Sequence, residues 1–106
     1  MNNFSDMLSK AKAMQEKMKE AQEQIKKIEV EGSSGGDLVK IVLSGDYELK
    51  SIKISEAARK ESQEIVNDLI IAAYNNAKEN LKKKSAEELS KITGGLNLPF
   101  DFKLPF

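Results

Sequence analysis

Apolar residues recur at Phe4, Met7, Ala11, Met14, Met18, Ala21, Ile25 and Ile28, with steps that alternate between 3 and 4. This is a heptad seam, with Phe4, Ala11, Met18 and Ile25 at a and Met7, Met14, Ala21 and Ile28 at d. No Pro or Gly interrupts residues 4–28, and Ala, Met, Lys, Glu and Gln dominate, so helix propensity agrees with the period. The spacing predicts a helix to about Lys27, a rod of roughly 37 Å at about 1.5 Å per residue. Asn3 or Ser5 can cap its start, and Asp6 places a negative charge in the first turn, where the dipole favours it. The e and g positions are mostly polar (Lys10, Gln15, Lys17, Gln22, Gln24), with Leu8 the exception. The stripe is therefore narrower than that of a helix lying on a broad core. It calls for a second helix, from this chain or another copy, and its Met and Ala content makes the packing adjustable.

Beyond Ile28 the period drops to 2. Three strands are expected at roughly 28–33, 37–44 and 48–54, and Val39, Ile41 and Leu43 alternate with Lys40, Val42 and Ser44 as in a half-buried antiparallel sheet. Gly35-Gly36 and Gly45-Asp46 mark the two hairpin turns. The Gly-Ser-Ser-Gly-Gly stretch is read as a turn, because no Lys-Ser/Thr follows it and a strand comes next. Ser55 then reads as the N-cap of a second helical region. Val66, Ile70, Ala73, Ala77 and Leu81 form its main stripe, flanked by Ile65, Leu69 and Ala72, and Ala72, Ala73 and Ala77 permit close approach. Ser85 and Glu88 have the spacing of a capping box that would restart the helix after a kink; a single helix to Ile92 is the other reading. Gly94-Gly95 ends it, leaving residues 94–106 as a tail with both prolines and three phenylalanines beyond a single domain at 1–93.

Composition narrows the chemistry. The 106 residues form one small α+β domain, whose limited burial favours an oligomer that shares its core. With neither Cys nor His, disulfides, thiolate catalysis and the commonest metal ligand are removed, and nothing brings two catalytic carboxylates together. The expectation is therefore no enzyme, no cofactor, no metal and no small-molecule substrate. No apolar run approaches the ~18 residues of a membrane span, and the first 30 residues do not resemble a signal peptide, so the reading is cytoplasmic, with no membrane partner. Seventeen basic residues balance 17 acidic ones. A nucleic-acid role must then come from local segregation of charge rather than from the field of the whole molecule.

Taken together, the AKAMQEKMKEAQEQI helix, the EGSSGGDLVKIVLSGDYELKSIKI strands, the DLIIAAYNNA helix and the GGLNLPFDFKLPF ending resemble the YbaB/EbfC family of small bacterial nucleoid-associated proteins. The resemblance spans nearly the whole chain, and its most specific part is the strand segment followed by the Gly-Leu-x-Leu-Pro-Phe tail. It implies an α-β-β-β-α fold, a tweezer-like homodimer with helical arms, and binding of double-stranded DNA with little sequence preference in the bacterial nucleoid. The family's usual acidic residue and Pro after the third strand are replaced by Ser55-Glu56, so a changed helix start is expected on the same fold.

Charge placement selects the candidate phosphate contacts: Lys10, Lys12, Lys17 and Lys19 on the first arm, and Lys78, Lys82, Lys83 and Lys84 on the second. Lys is a point charge that holds phosphates without reading bases, Arg59 is the only Arg, and both lysine clusters lack aromatics. The competing readings are a solvated helix surface laced by pairs such as Asp6–Lys10 and Glu23–Lys27, and a protein-interaction module that receives a partner helix on the Met/Ala seam.

Overall fold

The structure, a computed structural model, describes residues 3–92; the expectations for the tail lie outside the described residues. Helix α1 spans Asn3–Lys26 and passes through a two-residue connection into β1 (Glu29–Ser34). Strands β2 (Val39–Ser44) and β3 (Leu49–Ile54) follow, then the single-turn helix α2 (Glu56–Arg59) and the long helix α3 (Gln63–Ile92). The expected α-β-β-β-α order holds. The strands form one antiparallel sheet in the order β1-β2-β3, with Gly32 opposite Ile41 and Ile41 opposite Ile52. The first turn uses Gly35 and Gly36 at φ 58° and 62°, with Asp37 also left-handed at 75°, where Asp is among the better-tolerated residues.

Two details of the second helical region differ from the sequence reading. The helix capped by Ser55, whose Oγ accepts from the Ala58 amide at 3.1 Å, stops after one turn at Arg59. A second serine, Ser62, then caps α3 by accepting from the Ile65 amide at 3.3 Å. Two N-caps seven residues apart offer the backbone two competing helix starts, so the chain breaks at residues 60–62. In contrast, Ser85 starts no new helix, and α3 runs unbroken for 30 residues.

The core lies where α3 crosses the sheet. Val39, Ile41 and Leu43 of β2 turn one face toward Ala73, Ala77 and Leu81, and all six are buried together with Val30 and Ala58. The crossing is close because Gly32 carries no side chain: a Cβ there would stand under 3.0 Å from the Ala77 nitrogen and the Ala73 carbonyl oxygen. Ala73 and Ala77 provide the close approach expected of them, while Ala72 faces solvent. Polar clips fix the crossing. Ser34 Oγ donates to the Leu69 carbonyl at 2.6 Å, the Ser33 amide donates to Asn76 Oδ1 at 3.0 Å, and Asn80 Nδ2 donates to the Glu31 carbonyl at 2.8 Å. These contacts step backward along β1 as α3 advances. The second half of α3 therefore continues past the start of β1, the end at which α1 enters, and lies beside α1 to form a two-helix arm.

Candidate nucleic-acid interface

The arm explains the fate of the heptad seam. Beyond Asn80, α3 adds 12 residues, about 18 Å, whereas the 24 residues of α1 extend about 36 Å. Only the second half of α1 has α3 beside it. Ala21 and Ile25 are accordingly buried and Met14 and Met18 half-buried, whereas Phe4 and Met7 remain 73% and 67% exposed. The partner helix demanded by the seam comes from the same chain, and it covers half of the seam.

Seven of the eight candidate lysines stand on this arm, and Lys78 stands at its base. All eight side chains are exposed. The ion pairs among the described residues are Lys40–Glu31, Lys50–Glu48 and Lys91–Glu88, so none of the eight is neutralised by a carboxylate within 4.0 Å. The suggested pairs Asp6–Lys10 and Glu23–Lys27 do not form. Zero net charge thus coexists with eight exposed lysines free of ion pairs, on helices that also carry Asp6, Glu16, Glu20, Glu23, Glu87 and Glu88.

Helix geometry divides the lysines further. At about 100° per residue, Lys10 and Lys17 share one side of α1 and Lys12 and Lys19 lie roughly opposite. Lys10 and Lys17 bracket a shallow groove of about 240 Å³ floored by Ala13 and Met14. On α3, Lys78 and Lys82 share a flank with Ile71, which lies 7 and 11 residues before them. Lys83 points away from the packed face and Lys84 toward the other flank. A straight duplex laid on one side of the arm therefore meets only a subset of the eight.

The opposite edge of the sheet is open and apolar. Helix α3 crosses over β1 and β2, leaving β3 without a cover; Leu49 and Ile52 are 49% and 43% exposed. Together with Ile41, Ile70, Ile71 and Tyr74 they line a concavity of about 280 Å³. The apolar stripe read from the sequence of α3, with Ile65, Leu69 and Ala72 beside it, does not single out Leu49, Ile52 and Ile71 as an uncovered face. The signal was present in the adjacent apolar pair Ile70-Ile71, whose members cannot both face one sheet. Titration adds little: Asp46, in the β2–β3 turn, is held below the ordinary carboxylate value by a hydrogen bond from the Ser44 hydroxyl. Among the described residues, no cluster of His, Cys, Asp and Glu could hold a metal ion.

Residues 1–96 match the model of the YbaB/EbfC DNA-binding family. Proteins named nucleoid-associated protein from Brucella anthropi and Paramagnetospirillum magneticum are each 46% identical, over the full length of both chains. One from Bartonella bacilliformis is 43% identical over the whole of this chain and 99% of its own. The chain belongs to the YbaB/EbfC DNA-binding family.

Proposed function

We propose that this protein is a homodimeric, nucleoid-associated protein that holds double-stranded DNA by its phosphate backbone and helps to organise the nucleoid and regulate genes within it. The observation that carries the reading is the set of eight lysines, on the arm and at its base, that have no carboxylate within 4.0 Å, in a chain that belongs to a DNA-binding family. The names of its relatives support the nucleoid as its place in the cytoplasm. Among the described residues, no helix is long and apolar enough to cross a membrane.

The dimer forms through the face around Leu49, Ile52, Ile71 and Tyr74, where a second copy fills the concavity and covers the open β3 edge. Because Lys78 and Lys82 continue the Ile71 flank, they then face the space between the two arms. Lys10, Lys12, Lys17, Lys19, Lys83 and Lys84 extend the positive charge over the arm surface. Each contact is a lysine ammonium on a phosphate oxygen, which displaces condensed counterions and carries no sequence information. No catalytic group takes part in this role.

The exposed Phe4, Met7 and Leu8 favour a second reading, in which the free half of the seam receives a helix from another protein. Fluorescence anisotropy with two unrelated duplexes at low salt separates the two. Equal, salt-sensitive affinities support backbone binding. No binding by a folded dimer overturns it in favour of the interaction module.

A further inference from the structure

A second cationic site lies on the body, at the end of the sheet away from the arm. Lys40 of β2 and Lys53 of β3 are direct cross-strand partners. Their side chains leave the same face of the sheet, opposite the face that Ile41 turns to the core. Like charges placed this way destabilise an antiparallel pair. The only Arg of the chain joins them. Arg59 Nε donates to the Ile54 carbonyl at 3.3 Å, which anchors the guanidinium beside the strand. Lys40, Lys53 and Arg59 line one open concavity of about 490 Å³ with Ser55 and Asp37. Against the three cations stand Asp37, Glu31, which is 4.0 Å from Lys40, and Glu56, which lines a neighbouring concavity with Arg59 and Lys60. Among the described residues, neither Lys53 nor Arg59 has a carboxylate within 4.0 Å.

A cross-strand lysine pair next to a tethered guanidinium suits a phosphate: two point charges and a planar donor converge on one opening. Its position excludes it from the arm. The arm leaves the sheet at the Glu29–Ser44 pair, whereas Lys40 and Lys53 sit at the other end of the strands, beside the 35–38 turn. We propose that Lys40, Lys53 and Arg59 form a second phosphate-binding site, which takes the backbone of a second stretch of double-stranded DNA while the arm holds the first. This inference rests on the DNA-binding reading. It adds to that reading that one molecule joins two duplex segments.

A capture assay tests it. One random-sequence duplex is immobilised on beads, and retention of a second, labelled duplex is measured with wild-type protein and with Lys53→Thr/Arg59→Gln. The variant is expected to bind the immobilised duplex within about twofold of wild type and to retain the second at least about tenfold less, with a capture salt slope shallower by about 1.8 for two phosphates no longer neutralised. Because Ile52 lines both this site and the apolar face, the dimer mass of the variant is checked alongside. Removing one of two opposed lysines should leave the melting temperature at or above that of wild type, a result that a merely structural role for Lys53 would not give. Lys53→Thr alone, expected to show an intermediate loss, carries the test if the double variant folds poorly. Undiminished capture by the variants, or a wild-type protein that binds one duplex and captures none, overturns the second site. Failure of wild type to bind any duplex at low salt overturns the reading beneath it.

Discussion

Replacing Ile71 by Asp tests the proposed dimer face. Ile71 is 59% exposed in the isolated protomer and points away from the Ala73–Ala77 seat of α3, so folding of the protomer does not need it. Fully burying such a side chain contributes about 1.5–3 kcal/mol, so covering the exposed part contributes about 1–2 kcal/mol. In a two-fold interface through this face the contribution counts twice, about 2–4 kcal/mol per dimer. A carboxylate at the same place must be buried without a partner or take up a proton, at a further cost of about 1–3 kcal/mol per copy. The total, about 4 kcal/mol at least, raises the dissociation constant by about a thousandfold or more. Sedimentation velocity at micromolar concentration should show wild type as a dimer and Ile71→Asp as a monomer that keeps its helical circular dichroism. Ile71→Val should remain dimeric. A variant that sediments as an undiminished dimer would place the interface elsewhere and refute the assignment of this face.

Other positions give independent checks. Gly32→Ala drives a methyl into the backbone of α3 and loosens the Ser34, Asn76 and Asn80 clips; a loss of at least about 3 kcal/mol is expected in urea unfolding, and an unchanged midpoint would contradict the close crossing. Ser55→Ala removes the cap of α2 and should cost about 1 kcal/mol by the same measurement, while Ser55→Asp should cost little. Asp46 has a lowered folded pKa, so its contribution is present above the ordinary value of 3.8 and is lost as pH falls through the lower folded value. Asp46→Asn should therefore lose less stability than wild type between about pH 5 and about pH 3, and equal losses would rule out the Ser44 hydrogen bond as a source of stability.

Much of this architecture was legible because its signals are local. The alternation of 3 and 4 in α1, the alternation of 2 in β2, the Gly-Gly turn and the Ser55 cap each depend on residues a few positions apart. What stayed hidden depends on long-range placement. Half of the seam is covered because the described part of α3 reaches about 18 Å past Asn80, a position set by where Gly32 lets the helix cross. The break at residues 60–62 was signalled by Ser62 followed by an acidic first turn at Glu64, which the stronger cap at Ser55 masked. The eight lysines were visible as charge runs, but the absence of ion pairs such as Asp6–Lys10 emerges only from side-chain positions. The Lys40–Lys53 pair needs the strand register, which two lysines 13 residues apart do not reveal by themselves.

The salt dependence of duplex binding bears most directly on the central claim that the arm holds DNA by its phosphates. If about four phosphates are neutralised, log affinity should fall against log salt with a slope near −3.6 for wild type. With Lys82, Lys83 and Lys84 all changed to Gln, the protein should remain a folded dimer, bind more weakly, and give a slope shallower by about 0.9 for each phosphate no longer neutralised. Weaker binding with that shallower slope is the expected result. A slope near zero in wild type, or identical slopes and affinities in the two proteins, would contradict it.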